Sequence, residues 1–103
     1  MNNSSGIKHD GEKPDLSLIP AHSLEGIALA MMDGERKYGR YNYLNGMDWS
    51  RLIAASLRHI RAFNAGEDCA PDSQLNHLYH AAANICMLIA YYEKDIGNDN
   101  RHK

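Results

Sequence analysis

From Pro20 to about Tyr38 the chain places Leu24, Ile27, Ala28 and Met31 at spacings i, i+3, i+4 and i+7, one face of a helix. Pro20 or Ser23 can open that helix. Gly34 and Gly39 flank Glu35-Arg36-Lys37-Tyr38, and Gly46 follows the polar aromatic stretch Arg40 to Asn45, so the helix is expected to fray into a loop there. A second helix is predicted to start at Asp48 or Trp49-Ser50 and run to about Asn64, with Leu52, Ile53, Ser56, Leu57, Ile60 and Phe63 on its buried side and Gly66 closing it. Gly66 to Gln74 reads as a loop containing Pro71. Leu75 to about Lys94 reads as a third helix, whose apolar stripe is Leu75, Leu78, Ala82, Ile85 and Ile89. No segment alternates with period two or carries a hairpin turn. The predicted class is therefore all-α, a small helical bundle.

The flanks read differently. Residues 1–12 are rich in Asn, Ser, Gly and charge and are expected to form a flexible arm; 13–94 make one helical domain, and 95–103 a polar tail that frays. At 103 residues and 44% hydrophobic composition the chain supports one compact domain, or one protomer whose core a partner completes, so a homo-oligomer is expected. Eleven basic and thirteen acidic residues give no global field toward polymeric nucleic acid or an anionic membrane, and any anion recognition must be local. Cys69 and Cys86 lack CxxC spacing and read as free thiols of a reducing cytoplasm. No apolar stretch approaches the ~20 residues of a membrane span, and the polar start has no apolar signal core, so a cytoplasmic location is expected.

Chemistry concentrates between Arg58 and Asn84, where Arg58-His59 precedes Gly66-Glu67-Asp68, Asp72 and His77-x-x-His80-x-x-x-Asn84. On the third helix His77, His80 and Asn84 fall within about 60° of one another, away from the apolar stripe. Tyr91 continues that face. An antiparallel pairing of the second and third helices would bring His59 toward His77. One reading makes the three histidines core-edge residues bonded to Ser, Asn or carbonyl groups. Another gathers imidazoles with Glu67, Asp68 and Asp72 into a divalent-metal or phosphate site, carboxylates suiting Mg²⁺ and histidines Mn²⁺, Fe²⁺ or Zn²⁺. A third needs no metal, the histidines donating to phosphate oxygens. No cysteine stands at structural-zinc spacing.

The run Arg36-Lys37-Tyr38-Gly39-Arg40-Tyr41-Asn42-Tyr43 joins phosphate-pairing cations to aromatic rings and an amide able to read a base edge. A purine stacked on Tyr38 or Tyr43 would gain affinity without demanding one base. The same run also fits a solvated helix end or an oligomer contact.

Together these motifs carry a family resemblance. Lys8-His9-Asp10-Gly11-Glu12-Lys13-Pro14, Leu18-Ile19-Pro20, Lys37-Tyr38-Gly39, Arg58-His59, Gly66-Glu67-Asp68 and His77-Leu78-Tyr79-His80-Ala81 are similar to the dATP/dGTP diphosphohydrolase N-terminal domain family. That resemblance implies a MazG-like all-α nucleotide pyrophosphohydrolase fold in a phage protein acting in the infected host's cytoplasm. It implies hydrolysis of purine deoxynucleoside triphosphates to monophosphate and pyrophosphate with Mg²⁺ or Mn²⁺. The catalytic group would be Glu67, Asp72, His77 and His80, and the metal ligands Glu67, Asp68, Asp72, His77 and His80. Lys13, Arg36, Lys37, Tyr38, Asn42, Arg58, His59 and Asn84 would hold the nucleotide. The chain lacks the paired Glu-x-x-Glu and Glu-x-x-Asp motifs of the wider MazG-like group. The family's aspartate-proline-glutamate-serine-glycine stretch is here Ala70-Pro71-Asp72-Ser73-Gln74, with one acid lost, one shortened and the turn glycine replaced. Those departures bear on catalysis more than on binding. The alternative is a non-catalytic protein that sequesters a nucleotide or nucleotide messenger; a helical oligomerisation module with buried histidines is a third possibility.

Overall fold

The computed structural model describes residues 6–7 and 11–103, so Lys8, His9, Asp10 and most of the expected arm lie outside the described residues. Three helices carry the fold, α1 (Ala21–Tyr38), α2 (Trp49–Asn64) and α3 (His77–Lys94), with 3-10 turns at Leu16–Leu18 and Asn42–Asn45. Among the described residues there is no strand, only two isolated bridges, and the domain is all-α as expected.

Local chemistry sets the boundaries. Pro20, with an extended backbone, precedes α1, and Arg36 and Lys37 in its last turn complement the helix dipole. Gly39 follows at φ +93°, a conformation that halts the helix at Tyr38. The third helix begins two residues later than its apolar spacing suggests, because the Asn76 side chain accepts the Leu78 N–H at 2.7 Å and caps it.

Helix α3 packs against both α2 and α1. Helices α2 and α3 run antiparallel: Trp49 lies near the level of Tyr91, the Ser56 hydroxyl donates to the Ala81 carbonyl at 3.2 Å, and His59 meets His77. The α1–α3 contact depends on a small residue, since a methyl on Gly26 would overlap the Tyr79 ring.

The inward faces differ from those the spacing suggests. Leu78, Ile85 and Ile89, the expected core stripe of α3, are 43%, 46% and 58% exposed, and Leu24, Leu57 and Ile60 also face outward. The buried positions are Gly26, Ala30 and Asp33 on α1, Trp49 with the expected Leu52 and Ser56 on α2, and His77, Ala81, Ala83 and Tyr91 on α3. Small and polar residues let the helices approach closely, leaving the apolar rows outside. The core proper is Trp49, Leu52 and Tyr91, with Tyr43, Met47, Met87, Leu88 and Ile96 packed around it at one end of the bundle.

The expected fraying of the tail is corrected. Trp49 Nε1 donates to the Ile96 carbonyl at 2.8 Å, and the Trp49 N–H donates to the Asn98 carbonyl at 3.0 Å. Asn100 exchanges two bonds with Ser50. These contacts use main-chain groups and amides beside the Ile96 side chain packed on the core, so a largely polar segment docks.

Candidate functional site

A cleft of about 720 Å³ opens between the end of α1 and the face of α2, with α3 as its floor. That is within the usual range of small-molecule sites. Tyr38, Arg40, Tyr41, Asn42 and Tyr43 line it where α1 ends and the 3-10 turn begins, and Arg51 and Arg58, two turns apart, line it from α2. His59, His80 and Asn84 lie toward the floor.

Of the expected nucleotide-binding residues the fold brings together Lys37, Tyr38, Asn42, Arg58, His59 and Asn84, but Lys13 and Arg36 stand outside the cleft wall. Arg36 instead binds Asp33 at 3.1 Å. Of the expected catalytic group Asp72 and His80 line the cleft, and Glu67 and His77 lie behind it. Asp68 uses its backbone, its carbonyl accepting the His77 N–H at 2.9 Å at the start of α3.

Two residues in the wall were not singled out by the sequence, Asp33 and Arg51. Asp33 continues the row Gly26–Ala30 at i+4 and i+7, and a carboxylate on a row of small residues is the available signal. Arg51 lies seven positions before Arg58, on the same face.

Charge in the cleft is unevenly spent. Lys37 Nζ reaches Asp33 at 3.1 Å and Asp72 at 3.3 Å, tying the end of α1 to the Pro71–Gln74 loop. Its pKa is raised, first by the hydrogen bond to Asp33 and then by Asp72, while Asp72 is held below the usual carboxylate range by Lys37. Arg40 pairs with Glu35 at 3.1 Å and lies over the Tyr41 ring. Arg51 and Arg58 make no ion pair among the described residues, so their charge is available to an anion.

Three imidazoles meet where α2 packs on α3, His59 and His80 at the cleft and His77 behind it. His59 stacks on His80 with centroids 4.7 Å apart and planes 16° from parallel, and its Nδ1 lies 2.8 Å from His77 Nδ1. His77 Nε2 stands 2.6 Å from Glu67 Oε1. Ser73 Oγ accepts the Leu75 N–H at 3.1 Å and is hydrogen-bonded to His80 Nε2 at 2.7 Å. Burial is the first cause that lowers the pKa of both His59 and His80; neighbouring His80, His77 and Arg58 lower His59 further.

The loop between α2 and α3 takes a left-handed turn at the position where a glycine is replaced. Gln74, standing where the family has glycine, adopts φ +65°, and its amide donates to the Pro71 carbonyl at 2.9 Å.

The expected metal ligands Glu67, Asp68, Asp72, His77 and His80 do not converge. Among the described residues no three His, Cys, Asp or Glu side chains stand close enough to share an ion. Glu67 is taken up by His77, and Asp33 and Asp72 by Lys37. The donor set of a single chain, as arranged, does not fit a divalent cation. Among these residues no helix is long and apolar enough to cross a membrane.

Fold and cleft together define a small all-α domain with a cationic, tyrosine-rimmed cleft floored by imidazoles. The chain belongs to the family described as dATP/dGTP diphosphohydrolase, N-terminal, whose model matches residues 3–101. A dATP/dGTP diphosphohydrolase of Salmonella phage PMBT28 is 33% identical over 97 residues, which cover 94% of this chain and 33% of the phage protein. The chain thus spans about a third of that relative's length. No solved structure matches.

Proposed function

We propose that this chain binds dATP or dGTP in the α1–α2 cleft and hydrolyses it to the nucleoside monophosphate and pyrophosphate. The observation that carries the reading is the pair Arg51 and Arg58, which make no ion pair among the described residues and line the same cleft as Tyr38, Tyr41 and Tyr43. Guanidinium groups pair with phosphate oxygens by two parallel hydrogen bonds, and phenol rings offer flat faces to a purine. Asn42, on the same rim, supplies an amide that can donate to and accept from a base edge. Family membership and the name of the phage relative point to the same substrate class. His59 and His80, neutral near pH 7, suit the handling of the proton that an attacking water must lose.

The test is to incubate purified protein with dATP, dGTP, dCTP and dTTP, with Mg²⁺, with Mn²⁺ and with chelator, and to resolve the products by chromatography. Loss of the purine triphosphates with equal amounts of monophosphate and pyrophosphate is expected. Intact triphosphates under every condition would overturn the hydrolytic reading.

One arrangement favours a second reading, binding without turnover. The carboxylates near the cleft are already engaged, Asp33 and Asp72 by Lys37 and Glu67 by His77. A sequestering protein would retain nucleotide stoichiometrically and release it unchanged on denaturation.

A further inference from the structure

His59 is a wall residue of the cleft and also the inner end of a hydrogen-bonded line that begins outside it. Glu67 is about half exposed, its side chain at 52%; His77 is buried at 4%; neither lines the cleft, whereas His59 does. An ionised carboxylate only accepts, so His77 carries a proton on the Nε2 that faces Glu67. Where that is the only proton His77 holds, its Nδ1 presents a lone pair, and His59 donates to it from its own Nδ1 across the 2.8 Å contact.

The consequence falls on the other edge of the His59 ring. Nε2 is left with a lone pair and has no hydrogen-bond partner among the described residues. No buried side-chain nitrogen or oxygen there lacks a partner, so this nitrogen is reached by solvent. The second cleft imidazole is not equivalent, because its Nε2 is already engaged by the Ser73 hydroxyl at 2.7 Å.

We propose that Glu67 and His77 are positioning residues that fix His59 as its Nδ1–H tautomer, so that His59 Nε2 takes the proton of the attacking water. The inference rests on the hydrolytic reading of the cleft. Water oxygen forms a bond to the α-phosphorus while the bond from that phosphorus to the pyrophosphate oxygen breaks, and pyrophosphate leaves with the electron pair. The water proton passes to His59 Nε2. The Nδ1 proton of His59 passes to His77 Nδ1, and His77 ends as an imidazolium against the Glu67 carboxylate. Positive charge therefore moves from the cleft to a buried ring whose counter-ion is already in contact, as a carboxylate–imidazole pair allows. No co-reactant beyond water is required.

The experiment uses the whole chain labelled with ¹⁵N at histidine, and two-bond proton–nitrogen correlation spectra at neutral pH. His59 is expected to be protonated at Nδ1 and bare at Nε2, and His77 protonated at Nε2. Glu67→Gln keeps an acceptor beside His77 but removes the charge. It is expected to preserve both tautomers, lower kcat at least about tenfold and leave KM within about twofold, a share of the usual effect of general-base catalysis. A His59 protonated at Nε2 in the unaltered protein overturns the proposal whatever the activity. So does a Glu67→Gln variant that turns over at the unaltered rate. If the unaltered protein hydrolyses no triphosphate, the hydrolytic reading fails and the proton-transfer role falls with it, while the spectra still decide the tautomer separately.

Discussion

Tyr91 is the largest side chain with no solvent exposure, and its hydroxyl donates to the Tyr43 carbonyl at 2.6 Å. That bond joins α3 to the 3-10 turn that forms the tyrosine rim, residues forty-eight apart in sequence. Burial holds the phenol pKa above its ordinary value, so the group is a neutral donor throughout the physiological range. Tyr91→Phe keeps the ring and deletes one hydrogen bond. The Tyr43 carbonyl is not orphaned by the change, because it also accepts the Gly46 N–H at 3.0 Å. The cost is therefore a net hydrogen bond, about 1 kcal/mol, without the further penalty of a buried unpaired acceptor. For a domain of this size that loss lowers Tm by roughly 4–8 °C. Urea unfolding followed by circular dichroism at one fixed protein concentration measures it, with the midpoint expected to fall and the slope unchanged. A Phe variant within about 0.3 kcal/mol of the parent would show that the bond does not anchor the rim, and a loss above about 3 kcal/mol would show that the hydroxyl supports more than this one contact.

Three further outcomes are expected. Arg51→Ala and Arg58→Ala should each weaken purine triphosphate binding by about 1.5–3 kcal/mol in calorimetry, with salt weakening the parent too, while Lys13→Ala and Arg36→Ala leave affinity unchanged; equal losses at all four positions would dissolve the assignment of the cleft. His59 and His80 titrate below the ordinary imidazole value, so on acidification the unfolded chain takes up protons first, near pH 6.5; stability is full above that pH and falls below it, and a urea midpoint identical at about pH 7.5 and about pH 5.5 would contradict this. The chain exposes 8034 Å², against about 5,800 Å² for a compact monomer of 11.6 kDa. With Leu57, Leu78, Ile85 and Ile89 facing outward, self-association is expected in sedimentation, with Ile85→Asp shifting the chain toward monomer; a parent that is monomeric at micromolar concentration would refute it.

Element positions were legible because each helix is bracketed by local chemistry, Pro20 and Gly39 around α1 and Gly66 after α2. The inward side of α2 was legible at Leu52 and Ser56, but that of α3 was not. Periodicity shows that Leu78, Ile85 and Ile89 share a side, but which side turns inward depends on how closely neighbours approach, and Gly26, Ala30 and Ala81 allow the other side to pack. The meeting of His59 with His77 was readable once an antiparallel pair was assumed. The separation of Glu67 from Asp72 was not, since Lys37 draws one toward α1 while His77 holds the other behind the cleft. Residue type alone suggested that they would converge.

The double grip of Lys37 acts as an electrostatic latch. Its ammonium is shared between a carboxylate on α1 and one on the loop that also carries Ser73, so an incoming anion gains its help only by outbidding both. A triphosphate brings enough charge to compete, and a monophosphate brings less. On the proposed hydrolytic reading, the latch would open to a triphosphate more readily than to the monophosphate product and reclose on Asp72 after pyrophosphate leaves, Lys37 then discriminating by charge and Arg51 and Arg58 providing the attraction.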